Sequence, residues 1–172
     1  MSGSYRLFSF LQEKAMSTRT PKCIRLKTIK AVWQTLTINE PLPPYLSTSR
    51  KISSSQDVFH LFRYLTQETK EHFVALHLDT KNKIICIDPV SVGSMNASVV
   101  HPRECLKSAL LSSAAAIVFV HNHPSGDPAP SREDLDITTR LKECCELLGI
   151  RLLDHVIVCE DSHVSFADRG LI

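Results

Sequence analysis

The chain has 172 residues, 43% of them hydrophobic, and a net charge of +2 at pH 7. This length and composition indicate a globular protein with one domain of ordinary size plus an extension. No apolar run approaches the roughly 20 residues that span a bilayer, and residues 2–14 lack the pattern of a secretory signal. We therefore expect a soluble, cytoplasmic protein without membrane contact.

The cysteines stand at positions 23, 86, 105, 144, 145 and 159 and form no CxxC pair. Adjacent cysteines such as Cys144 and Cys145 cannot easily close a normal disulfide. Free cysteine commonly packs as a small hydrophobe, so we predict reduced and mostly buried thiols.

Residues 1–50 form a predicted basic extension that is partly flexible, with an edge strand at 23–33. They hold eight Lys or Arg residues against two acidic ones, Glu13 and Glu40, a local net charge of +6. Such an arm permits weak contact with DNA phosphates. The basic residues are scattered, however, and no aromatic side chains interleave with them to stack on bases, which favours solvated charge instead.

Residues 51–172 form the predicted folded domain. The patterns predict, in order, a helix from residue 53, paired strands at 72–78 and 83–87, a short strand at 90–92, a helix from 102 to about 112, a strand at 114–120, a helix at 135–148, and strands at 152–159 and 164–166. Helices and strands that alternate in this way indicate an α/β fold, with a mixed central β-sheet between helices.

The stretch HNHPSGDPAPSRED, at residues 121–134, carries the candidate chemistry. In an extended segment His121 and His123 project to the same side and can converge on one ion, while Asn122 points away. The prolines that follow force a tight, ordered loop. Asp134 is a candidate third ligand if the loop folds back, and three protein ligands plus water is the catalytic form of a zinc site.

The same residues also have ordinary explanations. Ser131 and Asp134 match S-x-x-D before an apolar period, which is a capping box that satisfies the first amides of a helix. Two histidines near a turn can simply be hydrogen bonded there. On local pattern alone these explanations are favoured, although the complete spacing H-x-H-x7-S-x2-D is far more specific than its parts.

That spacing, with Pro124 after the second histidine, resembles the JAMM or MPN (JAB) zinc metalloprotease domains, and more closely their RadC-like branch. The loop HNHPSGDPAPS matches the RadC-like form, and VHPRE (100–104) and LLDHVIV (152–158) resemble two further stretches of that branch. The resemblance covers roughly residues 53–172. It implies a three-layer, cytidine-deaminase-like architecture and a zinc-dependent hydrolase that cleaves a peptide or isopeptide bond in a peptide or protein substrate.

The resemblance also implies roles for single residues. His121, His123 and Asp134 would bind one Zn²⁺ per chain, and Ser131 would polarise the substrate carbonyl or stabilise the oxyanion. Glu71, in KEHFVALHLD, matches the family's general base by position. Glu68 and Glu104 are poorer candidates, because one lies a turn earlier and the other lies in the first turn of a helix.

Two departures limit what carries over. Family peptidases commonly have Ser or Thr where Asn122 stands here, so the metal site carries over but the substrate does not. Longer RadC proteins have a helix-hairpin-helix region, which residues 1–50 do not match. The alternative function is a RadC-like accessory protein associated with DNA repair or nucleic acid, without peptidase activity. No pattern identifies the substrate or the oligomeric state.

His155 and Asp154 are neighbours, but on a strand they face opposite sides, so no catalytic pairing is expected. We predict instead a structural role for one of them, or a role in supporting the metal ligands. Four further histidines have no partner spacing and are interpreted as ordinary polar or core residues: His60, His77, His101 and His163.

Overall fold

A computed structural model of the chain describes residues 32–34, 50–93 and 100–172. The helices there are α1 (Ser55–Phe62), continued by a 3-10 turn (Arg63–Gln67), α2 (Pro102–Leu111) and α3 (Arg132–Leu147). The strands are β1 (Glu71–Leu78), β2 (Ile84–Gly93), β3 (Ala116–Asn122), β4 (Arg151–Val158) and β5 (His163–Ser165). The predicted α/β class is confirmed.

The described strands form one mixed sheet in the order β2-β1-β3-β4-β5. β1 pairs antiparallel with both β2 and β3, whereas β3 and β4 are parallel. Helix α3 makes the crossover that a parallel pair requires. As a result, the first residue of β1 lies at the same end of the sheet as the last residues of β3 and β4.

Helices cover both faces of the sheet and give three layers, as predicted. On one face, α1 and the 3-10 turn pack on alternate residues of β1, β3 and β4, including Val74, Val118 and Val156. On the other face, α2 and α3 pack on the intervening residues, including Ala75, Ile117 and Phe119. The central strand β3 is buried along its whole length.

Local sequence explains where the helices begin. Ser54 caps α1 through a capping box with Asp57, and Pro102 occupies the first turn of α2. Helix α3 begins at Arg132, three residues before the predicted start, because Ser131 is its N-cap. The apolar period used for the prediction starts only after this polar first turn.

Strand β2 differs from the prediction, because the two predicted strands at 83–87 and 90–92 are one continuous strand. Pro89 suggested a break between them. In the structure Phe73 pairs with Ser91 and Val74 pairs with Pro89, so Val90 is an extra residue in a β-bulge. A bulge on an edge strand accommodates proline, which cannot donate a ladder hydrogen bond.

Several predictions fall outside the described residues. The extension at 1–50 and the strand at 23–33 lie there, apart from residues 32–34 and 50, which are exposed and have no regular secondary structure. The cysteines within the described ranges are all free, and three are buried: Cys105, Cys145 and Cys159. None of the helices in those ranges is long and apolar enough to cross a membrane.

Gly149 provides a test of how α3 ends. Its φ is 70°, a left-handed conformation, and its amide bonds Glu146 O at 3.1 Å. We predict that Gly149→Ala lowers the free energy of unfolding by about 1 kcal/mol, since a Cβ is disfavoured there. Urea unfolding measures this. The control Glu146→Ala, an exposed side chain in the same turn, should change stability by less than about 0.5 kcal/mol; equal effects of the two substitutions would contradict the explanation.

Candidate metal centre

The first histidine, His121, lies near the carboxyl-terminal end of the central strand β3. His121 is the sixth residue of this buried strand, is itself fully buried, and stacks on Phe73 of β1 with ring centroids 6.0 Å apart. His123 follows just after the strand, where its amide donates to Val158 O of β4 at 3.2 Å. Because β3 is packed on both faces, the His121 ring has a fixed position.

A tight turn then fixes His123. The Gly126 amide donates to His123 O at 3.0 Å, and Gly126 adopts φ 80°, which favours glycine. The turn brings Asp127 O to 2.7 Å from His123 Nδ1. The predicted rigid loop therefore orients the second imidazole through a backbone carbonyl.

Asp134 serves two purposes with its two oxygens. Oδ2 accepts hydrogen bonds from the Ser131 amide at 2.8 Å and the Ser131 hydroxyl at 2.6 Å, which completes the capping box. Oδ1 lies 3.2 Å from His121 Nε2. Helix capping and metal binding are therefore compatible, because the same carboxylate caps α3 and faces the two histidines.

Three side chains converge at this point. His121 Nε2 lies 3.0 Å from His123 Nε2. Asp134 Oδ1 lies 3.2 Å from His121 Nε2, and Asp134 Oδ2 lies 3.5 Å from His123 Nε2. Ligands about 2.0–2.2 Å from a tetrahedral zinc ion lie about 3.3 Å from one another. His121, His123 and Asp134 thus form a group that could hold a metal ion.

The proton on His123 can be placed from its partner. A carbonyl oxygen only accepts hydrogen bonds, so the 2.7 Å contact with Asp127 O requires a proton on His123 Nδ1. In the neutral ring, Nε2 then carries a lone pair. That lone pair faces His121 and Asp134.

A longer chain of hydrogen bonds places the proton on His121. The Thr138 hydroxyl donates to Asp134 O at 2.5 Å, so it accepts from His155 Nδ1 at 2.6 Å. Burial keeps His155 neutral by holding its pKa well below the usual range, which leaves its Nε2 as an acceptor. His121 Nδ1, 2.8 Å away, must therefore be the donor, and His121 Nε2 also carries a lone pair.

Three electron-rich atoms facing one another require a positive charge between them. Without a metal, a proton supplies it: the hydrogen bond with Asp134 raises the pKa of His123, with burial opposing. Burial opposes ionisation of Asp134, but its contacts with the His121 and His123 imidazoles and the hydrogen bond from Ser131 outweigh burial and lower its pKa. The donor set therefore fits a cation, and a metal ion would replace this proton.

Glu71 lies at the same end of the sheet as this group. Glu71 begins β1, two residues before Phe73, which pairs with His121, so Glu71 and His121 share a face of the sheet. Its negative charge contributes to the raised pKa of His123. The His123 and Asp134 side chains are 16% and 12% exposed, whereas His121 is fully buried, so access is from the side of the last two ligands.

Ser131 lies at the same edge, at the start of α3. Its hydroxyl accepts from the Asp134 amide at 3.1 Å and donates to Asp134 Oδ2. Its exposed position leaves it accessible from solvent. In this arrangement the Ser131 hydroxyl proton lies in the hydrogen bond to Asp134 Oδ2.

Other candidates lie away from the group. Glu68 pairs with His72, and Glu104 pairs with Lys107 and Arg103. Asp154 turns to the opposite side from His155 and accepts from Ser165 and the Ala167 amide. The four histidines predicted to be ordinary have no contact with the cluster among the described residues; His77, for example, contacts Cys86 and Ser112.

Sequence reasoning missed three contributors. Thr138 lies one helical turn after Asp134, and this i,i+4 spacing was an available signal. Asn122 was expected only to point away, yet its buried side-chain amide bonds the backbone at the start of β1. The Asp127 carbonyl carries no sequence signal, because any residue there supplies the same oxygen.

An α/β domain with a His-His-Asp cluster at the end of a buried strand defines a JAB-type domain. The model of the RadC-like JAB domain family matches residues 52–171. The chain belongs to this family.

Relatives support the assignment. The chain is 52% identical over 124 residues to a UPF0758 protein of Methanosarcina mazei, covering 72% of this chain and 54% of the relative. It is 53% identical over 110 residues to one of Geobacillus kaustophilus, covering 64% of this chain and 47% of the relative. The chain thus spans about half the length of the curated relatives it matches.

Thr138 offers a test of the chain that orients His121. Thr138→Val keeps the shape but removes the oxygen that accepts from His155 Nδ1. We expect metal affinity to fall at least about tenfold, as is typical when a hydrogen-bond support of a ligand is lost. Chelator competition measures the dissociation constant. Thr138→Ser retains the hydroxyl and should stay within about twofold of the native affinity; equal losses in both variants would contradict the network.

The raised pKa of His123 predicts pH-dependent metal binding. Its protonated form persists above the ordinary pKa of 6.5, so a metal must displace a proton there. Below the raised pKa, affinity should fall by up to about tenfold per pH unit, and above it the dependence should flatten. Calorimetric titrations with Zn²⁺ in buffers of different ionisation enthalpy count the protons released. An affinity that stays constant between pH 6 and 8 would refute this prediction.

Proposed function

We propose that the domain is a zinc-dependent hydrolase of JAMM type that cleaves peptide or isopeptide bonds. The observation that carries the proposal is the convergence of two imidazole nitrogens, 3.0 Å apart, and the carboxylate of Asp134, which contacts His121 through Oδ1 at 3.2 Å and His123 through Oδ2 at 3.5 Å. Two histidines and one carboxylate form a ligand set of catalytic zinc sites, in which the fourth position is left for water or substrate.

His121, His123 and Asp134 would hold the ion. Zinc bound there supplies two effects, a lower pKa for water and polarisation of a carbonyl. The exposed fractions of His123 and Asp134 support substrate entry from their side of the group. On the opposite side of the group, the His121 ring is buried and forms a hydrogen bond with His155.

Glu71 is the proposed general base. Its carboxylate takes a proton from the attacking water and returns it to the nitrogen of the leaving amine, while the water oxygen forms the new bond to the carbonyl carbon. Its position at the first residue of β1, on the face of His121, supports this role. Its electrostatic effect on His123 indicates that the two side chains are near each other.

Ser131 is the proposed stabiliser of the oxyanion. Its hydroxyl proton turns from Asp134 Oδ2 towards the substrate oxygen as negative charge develops there. The Ser131 amide still bonds Oδ2 during this change, so Asp134 keeps its orientation.

Metal analysis tests the site. Protein purified without chelator should contain about one zinc per chain, and His123→Ala should lose it. His60→Ala is the matched control: this histidine bonds Gln56 on α1, so the metal should remain. Metal-free native protein would refute the metal site.

Turnover tests the reaction. We expect Glu71→Gln to retain zinc and to abolish cleavage in a mass-spectrometric screen of peptides and lysine isopeptides, because the base can no longer accept a proton. Glu68→Gln, one turn earlier and paired with His72, should keep native turnover. A zinc-loaded Glu71→Gln protein with native activity would assign the base elsewhere.

A further inference from the structure

Asn122 lies between the two metal-ligand histidines, yet its side chain serves a different strand. It is 1% exposed and points to the face opposite His121. Its Oδ1 accepts from the His72 amide at 2.8 Å, and its Nδ2 donates to Lys70 O at 3.0 Å. These are the backbone groups of the residues on either side of Glu71.

The two bonds continue the sheet where the backbone ladder stops. β1 and β3 pair from Leu78 and Ala116 to Phe73 and His121, and no further. Beyond that point the His123 amide bonds Val158 O of β4 instead of β1. The Asn122 carboxamide offers one N–H donor and one carbonyl acceptor, as a peptide unit does, and so replaces the missing rung.

Only this kind of side chain can make both bonds. Aspartate lacks the donor for Lys70 O, and a serine or threonine hydroxyl has one proton and a shorter reach. Because the side chain is buried, water cannot easily take over either bond. The backbone at Glu71 is therefore held to β3, the strand that also carries His121.

We propose that Asn122 is a positioning residue that sets the Glu71 carboxylate relative to the metal site. The inference rests on the proposed function, in which Glu71 is the base. The backbone on both sides of Glu71 is hydrogen bonded to Asn122 of β3. These bonds restrict movement of Glu71 relative to the histidines that β3 carries. Holding the Glu71 carboxylate at a fixed distance from the metal site avoids the loss of rate that its displacement by about 1 Å would cause.

The test uses full-length protein loaded with Co²⁺ and labelled with ¹³C-glutamate. The Glu71 signal is identified by its absence in Glu71→Gln, and its pseudocontact shift reports the position of the side chain relative to the metal. Asn122→Ala removes both bonds, and Asn122→Ser is a milder second variant in case the first does not fold. Ser112→Ala is the matched control, a polar residue that contacts His77 at the other end of β1.

We expect all folded variants to bind Co²⁺. In Asn122→Ala or Asn122→Ser the Glu71 pseudocontact shift should decrease or split, and the His72 amide should exchange with deuterium at least about tenfold faster. Ser112→Ala should change neither. Faster exchange with an unchanged Glu71 shift would overturn the inference and leave the proposed function intact, whereas native protein that binds no Co²⁺ would overturn both.

Discussion

Two backbone carbonyl oxygens, those of Asp127 and Asp134, determine where the protons of this site lie. Each oxygen can only accept, and each begins a chain of hydrogen bonds that ends at an imidazole. One chain is a single step to His123, and the other runs through Thr138 and His155 to His121. Both leave Nε2 unprotonated in the neutral ring, so the backbone of the loop and of α3 creates a place for a cation.

The start of α3 connects the carboxylate of Asp134 with the imidazole of His121. Asp134 Oδ1 contacts His121, Oδ2 bonds the N-cap and contacts His123, and the Asp134 carbonyl begins the chain that orients His121. A shift of α3 would therefore disturb the carboxylate and the imidazole together. Each buried polar atom in this hydrogen-bond chain has a partner, which is the condition for burying it at low cost.

Much of this could be predicted from the sequence, and what could not has physical reasons. The alternation of His121 and His123 and the S-x-x-D spacing are local, so the strand, the capped helix and the candidate ligands followed from them. The partners of His121 are non-local, since His155 reaches it only because β4 pairs parallel with β3 in a particular register. The break predicted at Pro89 was wrong for a similar reason. The bulge that accommodates Pro89 depends on the partner strand β1, which is not local in the sequence.

The sheet topology also explains why Glu71, the proposed base, lies at the same end of the sheet as the candidate ligands. β1 runs antiparallel to β3, so its first residue, Glu71, meets the end of β3 where His121 lies. Had the two strands been parallel, Glu71 would lie at the far end of the sheet. With a divalent ion, the negative charges of Asp134 and Glu71 would balance the charge of the metal, which favours placing all three in a site partly withdrawn from water. The position of Glu71 thus follows from strand direction, and its precision depends on the side chain that extends the pairing beyond the last backbone rung.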